Sequence, residues 1–511
     1  MTTQAERPLP ISGRPAAGLI NGTWVEGQGE RFDVVNPATE EVIANVAGMS
    51  MTQADDAVAA AAAAFHGGPW SRTSPRERAQ MLYRLADLLE RDEKGLIDLM
   101  VDEIGTPYSV ASFMQVPFPI RNLRWFADAA TALASGADPA VPTTAAGPGG
   151  ATLVTREPIG VVVGLTAYNF PLNLAAWKLG GALASGCSIV LACSPKSVHT
   201  STALAALVEE AGFPPGAFNF VYGAPPIAER LCSHPDVDFV TFTGSAAVGK
   251  RVVELAAPTL KRVVLELGGK SADVILPGVD VEAIAGRCVL GWTGNAGQGC
   301  SSLTRTLVHR PDYERYLEAA VAVASSMGCG DPRDPATVVG PLVSAGQRAS
   351  VGGFVDRAVE AGGTVLTGGG PPADLPVGYY YEPTIVVGVD NQAEIAREEL
   401  FGPVSVVLPY DDTDHAIALA NDSVYGLAAN VWGPTTEAMA AAHRIRAGTV
   451  TVNGGGAMLA DHPWGGFKQS GLGREGGVLG LAEFYEVKHI LWPLDPDLAS
   501  AGPTSTGTAS E

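Results

Sequence analysis

From Ile159 to Leu267 the chain repeats one theme that restricts its fold more than any other feature. Gly160-Val161-Val162-Val163-Gly164 is a continuous apolar run of strand length. A strand wetted on one side alternates apolar and polar residues, whereas one covered on both faces does not, so such a run belongs inside a parallel sheet. Ser188 to Leu191, Phe218 to Val221, Phe239 to Phe242 and Arg262 to Leu267 repeat it, with helical segments between them. Parallel neighbours need crossover connections, and the reading is a doubly wound, Rossmann-like α/β unit. After Gly269 a second series begins, with strands expected at Ala272 to Leu276, Thr306 to Val308, Ile385 to Val387, Val404 to Val407 and Thr449 to Val452.

Ahead of these lie Asn21-Gly22-Thr23-Trp24 and Phe32 to Pro37, read as short antiparallel strands, and an alanine-rich helix at Asp55 to Ala64. Ser74-Pro75-Arg76-Glu77 supplies an N-cap serine, a proline at the first helical position and a glutamate near the third, so a helix runs from there to Glu90. Gly136 to Gly150 reads as a loop or extended arm, and Pro496 to Glu511 as a disordered tail. Leu172 to Cys193 is apolar enough to suggest a membrane span. Asn173, Lys178 and three glycines divide it instead into a helix, Leu174 to Ala184, and a strand, Ser188 to Ala192.

At 511 residues the chain exceeds what one core organises. Its 54 acidic and 33 basic residues give a net charge of -21, without a basic cluster to neutralise a phosphate backbone, so nucleic acid is excluded as the expected partner. Cys187, Cys193, Cys232, Cys288, Cys300 and Cys329 form no CxxC pair and stand at no metal-ligand spacing. A reduced cytoplasmic setting without metal is expected. Met1 to Pro15 carries no basic start followed by an apolar run, so it is not read as a secretory signal, and no membrane association is expected.

Four stretches carry chemistry. In Asn295-Ala296-Gly297-Gln298-Gly299-Cys300-Ser301-Ser302 a cysteine between small residues offers an exposed sulfur that a carbonyl carbon can approach, although a cysteine in an apolar chain is more often a small buried hydrophobe. Phe242-Thr243-Gly244-Ser245 ends a strand and opens a helix, which turns free N–H groups and a positive dipole end toward an anion such as a pyrophosphate; an ordinary strand-to-helix turn has the same look. Glu266 lies in an apolar strand, where desolvation raises its pKa toward the range of a general base unless backbone donors or Lys270 satisfy it. Tyr168-Asn169-Phe170-Pro171 holds an amide donor in a turn, suited to an oxyanion site or to structure alone. The formal GxGxxG at Gly471 to Gly476 lacks the strand a dinucleotide fingerprint requires.

These stretches, in this order, together with Ala211-Gly212-Phe213-Pro214-Pro215-Gly216, Leu265-Glu266-Leu267-Gly268-Gly269-Lys270, Glu399-Leu400-Phe401-Gly402-Pro403 and Gly465-Gly466-Phe467-Lys468-Gln469-Ser470-Gly471, resemble the aldehyde dehydrogenase superfamily from about Asn21 to Trp492. The resemblance implies NAD(P)-dependent oxidation of an aldehyde to an acid. It implies Cys300 as nucleophile, Glu266 as general base, Asn169 as the side-chain half of an oxyanion hole, and Lys178 and Glu475 along a proton exit. NAD or NADP would lie along Thr166, Tyr168, Lys196, Thr243, Gly244, Ser245 and Leu267, with Glu399 and Phe401 at the nicotinamide end. The substrate pocket falls at Phe170, Trp177, Met458 and Trp464, with Gly294 and Gly299 beside the sulfur, a roomy tunnel for a bulky or aromatic aldehyde. Asp461 and His462 stand at its mouth.

The implied organisation is a cofactor domain (1–130 and 156–265), a catalytic domain (266–465), an oligomerisation arm (131–155 and 478–495) that builds a homodimer or homotetramer, and a tail (496–511). This chain departs from the family at the ribose-binding lysine and glutamate, where it has Ala192 and Pro195, and its loop Gly223-Ala224-Pro225-Pro226 lacks later glycines. Two other readings follow: a CoA-acylating enzyme, which the presence of Glu266 opposes, and a binding or structural protein whose cofactor site has decayed.

Overall fold

The continuous apolar runs are the buried centre of the molecule. In the computed structural model, which describes residues 16–134, 144–147, 150–455 and 460–492, the strands Val161–Thr166, Ser188–Cys193, Phe218–Tyr222 and Phe239–Thr243 are buried at every position. With Arg262–Glu266 they form the parallel middle of an eight-stranded sheet. Its order is Gly471–Leu472, Arg262–Glu266, Phe239–Thr243, Val161–Thr166, Ser188–Cys193, Phe218–Tyr222, Gly18–Ile20, Thr23–Val25, and the outer strands pair antiparallel. The chain winds outward from Val161–Thr166 first to one side and then, with Phe239–Thr243, to the other. In an open α/β sheet the crevice at the carboxyl ends of two such strands is where ligands bind.

The second sheet has seven strands in the order Thr364–Thr367, Thr384–Val387, Val404–Tyr410, Arg305–His309, Ala272–Ile275, Ala428–Trp432, Thr449–Val452, parallel except for the first pair. Thr364–Thr367 and Ala428–Trp432 were not expected. The second of these carries Asn430 in mid-strand, a poor strand former that is kept there by donating to the buried Asp273 carboxylate at 2.7 Å. A third sheet pairs Tyr485–Trp492 with Gly150–Pro158 and that with Thr144–Gly147, all antiparallel.

Local rules place most helices. Ser74 and Glu77 make a reciprocal capping box with Pro75 at the start of Pro75–Arg91. The alanine-rich helix spans Met51–Gly67, longer than expected, because Ser50 and Gln53 build a second box upstream. Pro171–Ser185 is buried at every position and ends at Gly186, whose φ of +96° suits a residue without Cβ. Its Gly180 and Gly181 make room for Phe126 and Phe484, whose rings would lie 2.4 and 2.3 Å from an added Cβ.

Residues 144–147 form a strand, the extended one of the two readings for that segment. Three expectations are corrected. Asn21 and Gly22 form the turn between two strands, since both have positive φ. Residues 131–134 belong to the helix Pro117–Ala134, so the extended segment begins later than 131, and its second strand continues to Pro158. The readings of Met1 to Pro15, of Met458 and of Pro496 to Glu511 lie outside the described residues. Among the described residues, no helix is long and apolar enough to cross a membrane.

Candidate active site

The nucleophile stretch follows the helix Val281–Thr293 and is strained. Asn295, Ala296 and Gly297 all have φ between 53° and 69°. For residues with a Cβ that conformation costs of order 1–3 kcal/mol each and persists only where surrounding contacts fix it. Here they do. A Cβ on Gly297 would lie 2.2 Å from the Gly402 carbonyl, and Leu303 and Ser302 donate to the Gly291 and Gly299 carbonyls at 3.0 and 3.1 Å. The turn holds Cys300 half-buried. The expected exposed sulfur is therefore corrected: desolvation first, then the charges of Glu399 and Glu266, push the thiol up to about 12.

Three other segments converge on this loop. Asn169, in the bend after Val161–Thr166, donates its amide Nδ2 to the Gln298 carbonyl at 2.9 Å, two residues before Cys300. The Gly268-Gly269 pair closes the end of the Arg262–Glu266 strand. A Cβ on Gly269 would lie 2.5 Å from the Cys300 carbonyl, and one on Gly268 would lie 2.1 Å from the Glu399 carboxylate. Glu399 accepts from the Gly269 N–H at 3.1 Å, and burial raises its pKa to about 7 against the opposing pull of that bond and of Lys270. Tyr168 donates to Gln298 Oε1 at 3.1 Å, and its ring meets Phe401 edge-on at 6.1 Å.

Glu266 is the last residue of its strand, 3% exposed, and neither carboxylate oxygen has a protein partner. Lys270 Nζ is also buried without one, so the alternative in which backbone donors or Lys270 satisfy Glu266 is not what the fold builds. Desolvation, reinforced by Glu475, holds the Glu266 carboxyl well above the usual carboxylate range, and Lys178 and Arg474 pull the other way. Lys178, fully buried, donates to Glu475 Oε1 at 2.5 Å and to Thr243 Oγ1 at 2.8 Å, while Thr241 donates to the same Glu475 oxygen at 2.8 Å. Thr241 had no sequence signal of its own, since inside an apolar strand a threonine passes for a strand former.

At the crevice between Val161–Thr166 and Phe239–Thr243, Thr166 Oγ1 is buried without a protein partner. Ser245 caps the helix Ala246–Ala256, accepting from Val248 at 3.4 Å, so Thr243 and Gly244 stand at a helix N-terminus. Leu267 is buried and donates its N–H to the Ser470 carbonyl at 2.9 Å. An unpaired hydroxyl, a helix N-terminus and the Glu399 carboxylate fit the diphosphate and nicotinamide ribose of a dinucleotide. The adenosine end is different. Ala192 is buried, Pro195 opens a short 3-10 turn and Lys196 is exposed. The buried Glu103 carboxylate is committed to the His199 and Thr200 N–H groups at 2.6 and 2.9 Å and to the Thr200 hydroxyl.

Of the pocket residues, Trp177 and Trp464 stack at 6.2 Å and 19°, and Phe170 is half-buried beside the larger core. A Cβ added at Gly294 would meet nothing within 4 Å, so there is open space beside that position, six residues before Cys300. His462 and Asp461 pair with each other at 2.6 Å and are exposed.

The family model described as the aldehyde dehydrogenase family matches residues 24–490. An aminoacetaldehyde dehydrogenase from Pseudomonas aeruginosa is 40% identical over 485 residues, which is 93% of this chain and 95% of the relative. The NAD+ complex of an aldehyde dehydrogenase from Bacillus cereus superposes with a TM-score of 0.90 at 37% identity, covering 95% of this chain and 98% of its own. An indole-3-acetaldehyde dehydrogenase from P. syringae, in complex with NAD+ and IAA, superposes with a TM-score of 0.89 at 37% identity, covering 94% and 97%.

The raised thiol sets one expectation. In the protein alone, alkylation of Cys300 by iodoacetamide is slow at neutral pH and rises about tenfold per pH unit, since only the thiolate reacts. Glu399→Gln raises the neutral rate by removing a like charge. A rate independent of pH between 7 and 9 would contradict the buried-thiol geometry.

Proposed function

The chain belongs to the aldehyde dehydrogenase family, and from that premise we propose that it oxidises a bulky or aromatic aldehyde to the carboxylic acid, with NAD or NADP as hydride acceptor. The observation that carries the hydrolytic reading is Glu266, a buried carboxyl without a protein partner beside the Cys300 loop. In this reading the Cys300 thiolate attacks the aldehyde carbon, and the free N–H of the Asn169 amide, with the Cys300 backbone N–H, steadies the alkoxide. The bound nicotinamide accepts the hydride, which turns the thiohemiacetal into a thioester. Glu266 takes a proton from water as the water attacks that thioester, releasing the acid and restoring the thiolate. Lys178, Glu475, Thr241 and Thr243 offer the proton a hydrogen-bonded way out. Glu399 and Phe401 hold the nicotinamide end and Thr243 to Ser245 the diphosphate. The first sheet is thus assigned to cofactor binding and the second to the catalytic part. Unpaired cysteines suit a reducing, cytoplasmic setting, which cell fractionation checks.

Progress curves of NAD(P)H formation with aliphatic and aromatic aldehydes test the chemistry. Wild type turns over, and Cys300→Ala does not. Glu266→Gln gives a hydride burst followed by slow turnover. Because the Glu266 pKa is raised and only its ionised form takes the proton, the wild-type hydrolytic rate climbs with pH above the usual carboxylate range, and Glu266→Gln loses that limb. Gly294→Phe, which fills the open space, selectively removes the aromatic substrates. Full turnover by Cys300→Ala, or unchanged aromatic turnover in Gly294→Phe, would sink the corresponding part.

The adenosine end predicts weak and unselective cofactor binding. Each bond to a charged group contributes about 1.5–3 kcal/mol, so the loss of both ribose contacts weakens binding by roughly ten- to a thousandfold or more once non-additivity is allowed for. The absent carboxylate no longer repels a 2′-phosphate, and the exposed Lys196 ammonium can serve it as a point charge. Ala192→Lys combined with Pro195→Glu is expected to raise kcat/KM for NAD far more than for NADP. A wild type that prefers NAD by more than about a hundredfold, roughly 2.7 kcal/mol, would show that other residues recover the contacts.

Subunit pairing is proposed through the three-stranded arm, where Val487 and Leu491 are 63% and 69% exposed on a bare strand edge. Light scattering at micromolar concentration is expected to give a dimer or tetramer, and a monomer would contradict this.

A further inference from the structure

We propose that Gln115, together with Thr106, is a positioning residue that aims the Asn169 amide at the Cys300 centre, an inference that rests on the roles of Asn169 and Cys300 given above. Residues Ala111–Gln115 form a π-helical turn between the short helix Tyr108–Val110 and the helix Pro117–Ala134. Pro117 has no N–H to carry the ladder forward, and the Val116 N–H reaches back to the Ala111 carbonyl at 3.3 Å. The widened turn changes which face each residue shows. Phe113 is 74% exposed, whereas Gln115 is fully buried. Single π-helical turns within helices are uncommon and frequently sit at functional sites.

Gln115 Nε2 donates to the Asn169 backbone carbonyl at 3.0 Å and to Thr106 Oγ1 at 3.1 Å. The Thr106 hydroxyl donates to Asn295 Oδ1 at 2.8 Å, and Asn295 Nδ2 returns to the same Asn169 carbonyl at 3.3 Å. The ring is closed, buried throughout, and joins four separate segments. Two of them are the Asn169 bend and the left-handed Asn295-Ala296 turn that sets Cys300. Gln115 Oε1 has no protein partner. A buried amide oxygen left unpaired costs stability, so the side chain is held for what its two N–H groups grip. Without that grip the Asn169 backbone can rotate, and the amide loses its aim while the sulfur keeps its surroundings.

The test is a double-mutant cycle on the full chain with Gln115→Met, which matches the length and deletes both donors. Relative to wild type, kcat falls by about tenfold or more while KM for the aldehyde moves less than about twofold, the pattern for a group felt only in the transition state. Iodoacetamide alkylation of Cys300, which builds no oxyanion, stays within about twofold. In an Asn169→Ala background the same Gln115→Met change lowers kcat by less than about twofold, because the amide it positioned is gone. Thr106→Val lowers kcat in the same direction, and Thr106→Ser, which keeps the hydroxyl, restores it. An equal fall in both backgrounds, or wild-type kcat in folded Gln115→Met, would overturn the inference. If Gln115→Met does not fold, Thr106→Val carries the same cycle with the same criteria. Turnover by Cys300→Ala would instead overturn the reading beneath it.

Discussion

Two carboxylates and one ammonium are shut into the same volume between the Pro171–Ser185 helix and the first sheet, and that charge balance governs the site. Lys178 and Glu475 Oε1 pair with each other beside the Thr241 and Thr243 hydroxyls, while Glu475 Oε2 has no protein partner. An ion pair this deep survives only if its hydrogen bonds are met, because desolvation otherwise exceeds the attraction. Lys178 is taken up by Glu475, and Arg474, which also acts on Glu266, gives its hydrogen bonds to the Gly466 and Gly473 carbonyls. Glu266, the third member, has no partner, and the burial that shelters the pair keeps it protonated to higher pH. A group held in that state is of no use to stability. Its raised hold on a proton is what the proposed general-base role would draw on.

The same economy of space governs the loop that carries Cys300. Gly268, Gly269, Gly297 and Gly465 each stand where a Cβ would strike the Glu399 carboxylate, the Cys300 carbonyl, the Gly402 carbonyl or the Glu266 carboxylate. Backbone has been brought closer to backbone and to carboxylate than any other residue allows. The result is a thiol and the Glu266 and Glu399 carboxylates in one small region, at the price of strain at Asn295 and Ala296. The buried hydrogen bonds of Asn295, Gln298 and Asn169 offset that strain.

How much of this was legible depends on whether a property is local. The strands of the first sheet were, because burial on both faces removes the alternation that water imposes. The Ser74–Glu77 capping box was, because it is written within four residues. Ala428–Trp432 was missed because its Asn430 is explained by Asp273, 157 positions away, and by Thr451 and Gly454, which donate to its Oδ1. The left-handed turn at Asn295 and Ala296 was missed for a similar reason, since nothing about an alanine announces positive φ. Lys178 was legible only by resemblance. In a uniformly apolar helix a lysine reads as a flaw until its partner, 297 positions on, is known. The exposed sulfur was a misjudgement of the same kind: glycines clear the approach to Cys300, but distant carboxylates and the packed core set its ionisation.

The adenosine end shows why the departures carry as much weight as the matches. Ala192 and Pro195 remove a cation and an anion together, so the local charge is unchanged and nothing is left buried and unpaired. The vicinity stays satisfied: Glu103 takes the first N–H groups of the Val198–Glu210 helix, and Ser194 takes the Lys196 N–H at 3.3 Å. A site that had merely decayed would leave orphaned polar groups where its partners were lost. In this region the unpaired atom is instead Thr166 Oγ1, across the crevice at the diphosphate end. If the proposed cofactor placement holds, the fold keeps groups suited to the phosphates and the nicotinamide and lacks the usual charged contacts to one ribose. That combination suits a changed preference between cofactors better than the loss of one.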